Sequence, residues 1–160
     1  DKITVKVEER KPLAILKEKT GDFVLTADGF IVKKYPQVAK KFKIPVWGNF
    51  GETKDRLKDI QEFLVKLVQK EADFYRRLKK FSFDGKNLNF YFEDFEVIFG
   101  RPATDTFKEK ISAIEGILAD LEKKGKKVSY IDLRPFTKKM QSAIIKTKEI
   151  NSKNLGDKNR

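Results

Sequence analysis

Apolar and polar residues alternate from Lys2 to Glu8, with Ile3, Val5 and Val7 set against Lys2, Thr4, Lys6 and Glu8, the period-two pattern of a half-buried strand. Pro12 interrupts that run, and Leu13 to Leu16 reads as a second extended segment. Phe23-Val24-Leu25-Thr26 and Phe30-Ile31-Val32-Lys33 flank Ala27-Asp28-Gly29, and Asp-Gly between apolar runs predicts a hairpin. Ile44-Pro45-Val46-Trp47-Gly48 predicts a short apolar turn or edge segment, because Pro45 cannot donate to a ladder and argues against a central strand.

From Thr53 to Asp73 the period changes. Leu57, Ile60, Leu64, Leu67 and Val68 recur at three and four residues, which predicts an amphipathic helix N-capped by Thr53 with Asp55 in its first turn. Arg76 to Phe83 reads as extended, and Asp84-Gly85 as a second hairpin turn. Leu88, Phe90 and Phe92 alternate with Asn87, Asn89 and Tyr91, and Glu96 to Gly100 predicts another strand, so these three strands form a meander. Helical spacing returns from Thr104 to Lys124, with Phe107, Ile111, Ile114, Leu118 and Leu121 as the buried stripe, Asp105 near the positive helix start and Gly125 as the stop. Lys127 to Arg134 is again a strand. Beyond Pro135 the pattern is open: Phe136, Met140, Ala143 and Ile144 sit at helical spacing, while Pro135 and the Ala-Ile-Ile end equally fit an extended edge. Ile150 to Arg160 reads as a frayed polar tail. The predicted fold class is α+β: a largely antiparallel sheet of about eight or nine strands, with two amphipathic helices of roughly 20 residues each covering one face.

Composition narrows the chemistry. The 160 residues suffice for one core, and 14 Phe set the chain apart from a disordered tail despite 38% charged residues. There is no Cys and no His, which removes disulfides, thiolate chemistry, the usual general base near neutral pH and the commonest transition-metal ligand. Glu93 and Asp94 are adjacent and read as turn residues with no catalytic spacing. Most hydrolytic mechanisms are therefore disfavoured, while carboxylate pairs or a Ser-Lys arrangement stay open; no motif has catalytic spacing, and no catalytic residue, metal ligand or cofactor is expected. The abundance of Lys with Glu fits a heat-adapted source. No stretch approaches the roughly 20 apolar residues of a membrane helix. The chain opens at Asp1 directly in an alternating pattern, which reads as a piece of something longer.

Net charge is +12, and its excess is concentrated: nine Lys or Arg and a single acid, Asp132, lie between Lys123 and Lys148. Charge alone fits a solvated surface, a nucleic-acid interface or an anionic membrane surface. The Phe residues fall at buried periodicities and the lysines are interleaved with Glu, which argues against aromatic platforms for bases. Trp47 beside Gly48 reads as a packed loop anchor, and the Phe90 to Phe99 cluster as sheet core.

Several short motifs occur in an order that resembles a known family. Glu9-Arg10-x-Pro12-x-Ala14, the Ala27-Asp28-Gly29-Phe30 hairpin, Ile44-Pro45 with Gly48, Phe99-Gly100-Arg101 before a Lys-rich helix, and Ile131-Asp132-Leu133-Arg134 are similar to the β domain of the bacterial cell-division proteins FtsQ and DivIB, with the end of a POTRA domain before it. The resemblance implies residues 1–11 as the end of the POTRA domain, 12–148 as the β domain and 149–160 as a flexible tail. It implies a non-catalytic divisome scaffold, anchored by a membrane helix absent from this sequence, extracytoplasmic and enriched at the septum. It also implies partners, the FtsB/DivIC-like and FtsL-like division proteins, held by strand addition to a last strand that would begin at Pro135. The partner-binding residues are then Arg134, Pro135, Phe136, Thr137, Lys138, Lys139, Met140, Gln141 and Ser142, with residues 135–146 as the edge. An exposed edge offers unpaired backbone donors and acceptors, and the lysines would attract acidic side chains. Pro135 departs from the family pattern, which often has an aromatic directly after Asp-Leu-Arg; here the aromatic is displaced to Phe136, and a one-residue shift exchanges strand faces.

Overall fold

A computed structural model describes residues 3–4, 6, 9–33, 43–102 and 105–149, and among these described residues nine strands and three α-helices form. The chain divides into two compact units, Asp1–Phe83 and Asp84–Arg160. The fold is α+β with a mostly antiparallel sheet, as the alternation predicted.

In the first unit β1 (Pro12–Glu18) pairs antiparallel with β2 (Gly21–Thr26), which pairs antiparallel with β3 (Ile31–Lys33). The Asp-Gly turn closes as predicted. Gly29 adopts φ +87°, its N–H donates to the Thr26 carbonyl at 3.0 Å, and the Thr26 hydroxyl is hydrogen-bonded to Asp28. Arg10 ties this turn down, with its guanidinium 3.0 Å from the Asp28 carboxylate and 3.5 Å from the Phe30 ring centre.

β4 (Val46–Trp47) corrects the expectation drawn from Pro45. The strand is central, running parallel to β1 on one side and to β5 (Lys80–Phe83) on the other. Pro45 lies just before it and contributes only its carbonyl, which accepts from Ile15 N–H at 2.9 Å; the donor needed on the other side comes from Val46, which bonds the Lys79 carbonyl at 3.0 Å. A proline outside the first residue of a short strand removes no ladder bond. Trp47 is fully buried, edge-on to Phe50 at 5.1 Å and tilted against Phe81 at 5.4 Å, so it belongs to sheet core and not to a loop.

α1 (Leu57–Lys70) buries Ile60, Phe63, Leu64 and Leu67 at the predicted spacing. At ~1.5–3 kcal/mol for each large apolar side chain buried, that stripe sets the helix's position. Its start differs from the prediction. Thr53 precedes a 3₁₀ turn, Lys54–Arg56, and its hydroxyl donates back to the Asn49 carbonyl at 3.0 Å, so it does not cap the helix. The predicted extension from Arg76 is also corrected: α2 (Ala72–Arg77) holds Arg76 and Arg77, buries Phe74 and Tyr75, and ends where Leu78 turns to extended angles. The Tyr75 hydroxyl donates to the Leu13 carbonyl, which anchors this short helix to β1.

In the second unit β6 (Leu88–Tyr91) pairs antiparallel with β7 (Glu96–Gly100), and β7 pairs parallel with β8 (Lys126–Asp132). α3 (Phe107–Lys123) links them and buries Phe107, Ile111 and Ile114. The predicted start at Thr104 lies outside the described residues. Gly125 ends the helix as predicted, at φ +63°, with its N–H on the Glu122 carbonyl at 3.0 Å. β9 (Ile144–Glu149) pairs antiparallel with β8 and ends the strand order.

The strand predicted over Lys2 to Glu8 is not found in its described part: Ile3, Thr4 and Lys6 have no regular structure and are exposed, while Lys2, Val5, Val7 and Glu8 lie outside the described residues. Of the tail predicted over 149–160, Glu149 belongs to β9 and the rest lies outside them too.

Candidate functional site

The end of β8 is fixed by one acid. Asp132 is buried at 2% exposure and accepts from Arg134 three ways: the backbone N–H at 2.9 Å, Nε at 3.0 Å and Nη2 at 2.6 Å. The Tyr130 hydroxyl donates to it as well, at 3.2 Å. These bonds from Arg134 hold the Asp132 carboxyl below its ordinary value, and partial burial together with the neighbouring carboxylate pushes the Tyr130 hydroxyl up. The Arg134 guanidinium is half exposed yet held in one orientation.

Because the Asp132 side chain takes the Arg134 N–H, the backbone leaves the ladder there and turns at Arg134-Pro135. This corrects the expectation that the last strand begins at Pro135. Proline fixes φ and has no N–H to give to a ladder, and the chain makes a second tight reversal before pairing resumes. Phe136 N–H donates to the Leu133 carbonyl at 3.1 Å, Thr137 N–H to the Met140 carbonyl at 2.8 Å, and Met140 N–H to the Thr137 hydroxyl at 3.0 Å. The edge strand itself runs from Ile144 to Glu149, paired from Asp132↔Ile144 to Lys126↔Glu149 with a bulge between Val128 and Tyr130.

Arg134 to Ser142 are therefore a loop, with no helix despite the spacing of Phe136, Met140 and Ile144. Phe136 is buried in the core of this unit. Thr137, Lys138, Lys139, Met140, Gln141 and Ser142 are exposed, and Lys138 lies 3.6 Å from Asp105. β9 places Ile144, Lys146 and Lys148 on one face and Ile145 and Thr147 on the other, all exposed. The expected edge, residues 135–146, overlaps this strand only at Ile144 to Lys146, although Ile145-Lys146-Thr147-Lys148 carries its own alternation of apolar or β-branched residues with lysine.

The family described as "Cell division protein FtsQ/DivIB, C-terminal" matches residues 14–134. The chain belongs to the FtsQ/DivIB family. This is a non-enzymatic, membrane-anchored cell-division family, and the chain has a cell-division role. None of the curated proteins compared matches the chain. Among solved structures, the major extracytoplasmic domain of the trans isomer of the cell-division protein DivIB from Geobacillus stearothermophilus is similar at 18% identity and a TM-score of 0.43, covering 73% of this chain and 98% of that one. The residues that carry the resemblance are structural here. Arg10 braces the Asp28 turn, Ala14 is fully buried in β1, Gly48 lets Lys80 cross where a Cβ would lie 2.2 Å from its Cε, and Asp132 orients Arg134. Among the described residues no helix is long and apolar enough to cross a membrane.

Proposed function

We propose that this FtsQ/DivIB chain is a divisome scaffold that binds FtsB/DivIC-like and FtsL-like proteins outside the cytoplasmic membrane at the septum, by adding a partner strand to β9. The observation that carries this reading is the position of β9: it is the last strand in the order, with β8 on one side only and its side chains from Ile144 to Lys148 exposed. Such an edge presents unpaired N–H and C=O groups at the strand spacing a peptide needs. Each new backbone hydrogen bond contributes a net ~0.5–1.5 kcal/mol, so a few bonds offset only part of the cost of ordering a peptide. Lys146 and Lys148 on the strand, and Arg134, Lys138 and Lys139 on the loop before it, supply attraction for acidic side chains. In this proposal the interface comprises β9 together with the loop residues Arg134 to Ser142, residues 12–148 are the β domain, and 1–11 are the end of a POTRA domain.

The test is capture of the extracytoplasmic segment of the FtsB/DivIC-like protein from the same organism. A chain ending at Ala143 gives up the β8–β9 pairing, so it should still unfold cooperatively but at a lower temperature, and it should lose capture. Undiminished capture by that folded, shortened chain would sink the proposal.

A further inference from the structure

Next to the Asp132–Arg134 pair lies a cavity of about 700 Å³, within the range of small-molecule sites, and its wall is unusual in charge. Lys86, Arg101, Lys110, Arg134, Lys138 and Lys139 line it, with Asp105 as the one carboxylate among the described residues. These cations come from four separate segments: the turn before β6, the residue after β7, the first turn of α3 and the loop after β8. Asp105 lies 3.6 Å from Lys138 in a long, exposed contact and also attracts Lys110, while Asp132 is taken up by Arg134. Among the described residues no carboxylate pairs with Lys86, Arg101 or Lys139.

Lys110 is the informative member. It occupies the core-facing stripe of α3 between Phe107 and Ile114 and is only 5% exposed, where a Leu or Ile would bury apolar surface without a desolvation cost. Its ammonium donates to the Phe99 carbonyl at 2.7 Å and sits 4.9 Å from the Phe99 ring centre, which leaves further N–H donors beside the cavity. Gly100, at φ +87°, keeps the wall open at this point, since a Cβ there would come within 3.2 Å of the Lys110 Nζ.

We propose that this cavity binds a phosphoryl group carrying at least two negative charges, of the diphosphate type. A single carboxylate would balance one of the unpaired cations and leave the others in mutual repulsion. A di- or polyanion with tetrahedral oxygens can reach the guanidinium and the ammonium groups together. The phosphoryl group could be supplied by a phospholipid headgroup or by a free phosphorylated molecule. The proposal does not rest on the partner strand at β9.

Titrating pyrophosphate into the ¹⁵N-labelled chain at constant ionic strength should produce saturable shifts confined to amides at Arg101, Phe107 to Lys110 and Arg134 to Lys139. Arg101→Glu and Lys139→Glu, both at exposed positions, should each weaken binding by about tenfold, equivalent to ~1.4 kcal/mol. Flotation with phosphatidic acid vesicles, whose phosphomonoester can carry two charges, but not with phosphatidylcholine vesicles or with phosphatidylglycerol vesicles of matched charge, reversed by pyrophosphate, would assign the group to a headgroup. Pyrophosphate binding without flotation would assign it to a free ligand. No saturable shift with pyrophosphate, shifts spread over lysines outside the cavity, or equally tight binding of citrate would overturn the proposal.

Discussion

Asp132 is a buried carboxylate whose charge is useful only while Arg134 stays with it. Its acceptors hold the chain reversal after β8 as well as the guanidinium, so its protonation reaches both. The native carboxyl lies below its unfolded value of about 3.9, so its contribution is complete above that value and is lost as pH falls through the lower native one. Asp132→Asn should therefore cost about 2 kcal/mol at pH 7, scaled from hydrogen bonds to charged groups, and should flatten the stability profile below about pH 4. Urea unfolding at a series of pH values measures both effects; an unchanged acid slope in the variant would place the acid sensitivity elsewhere. Two glycines test backbone conformation separately from space. Gly125 has φ +63° with nothing near a Cβ, so Gly125→Ala should cost ~1 kcal/mol from conformation alone. Gly100→Ala has both a left-handed φ and the Lys110 ammonium to displace, and should cost more in the same denaturant series.

Elements whose pairing or packing is local were legible in the sequence, and those defined by distant segments were not. The stripes of α1 and α3, the Asp28-Gly29 turn and β8 follow from period and turn chemistry within the element. β4 does not, because a two-residue parallel strand draws both neighbours from distant segments and its position cannot be read from Val46 and Trp47 themselves. Within the candidate site, the basic residues and Arg134 were legible, but the strand start was misplaced: buried Phe136 and exposed Met140 and Ile144 mimic a helical stripe while serving different surroundings. Lys110 was hidden for the opposite reason, as a charge on an apolar stripe reads as a solvated interruption until the burial is known. An edge strand makes its own kinetic prediction. In β9, N–H groups alternate between the β8 side and the open side, so hydrogen exchange over Ile144 to Glu149 should show protected and fast amides in alternation. Adding the FtsB/DivIC-like segment should slow the fast set if a strand adds there, whereas uniform exchange unchanged by the partner would locate contact in side chains alone.

At the scale of the whole molecule, charge bears on how an acidic partner segment of the proposed kind would arrive more than on how tightly it would stay. The chain carries +12, and the stretch from Lys123 to Lys148 that holds much of it includes the loop and strand proposed as the interface. At ~0.15 M salt, exposed charges act over about 8 Å, so the field assists encounter and orientation while the backbone bonds of an added strand are nearly indifferent to salt. Association of an acidic partner segment should therefore slow by about tenfold on going from low to high ionic strength, with dissociation little changed. Reversing Lys138 and Lys139 to Glu should reproduce that slowing at low salt without altering the thermal transition, because both side chains are exposed and Lys138 makes only a long, exposed contact with Asp105. Surface-plasmon kinetics over a salt series separate the rate constants. An association rate independent of salt would show that the lysines do not steer the partner. Equal affinity for duplex DNA, with a steep salt dependence, would instead make the basic segment a phosphate-backbone surface and leave β9 without its proposed occupant.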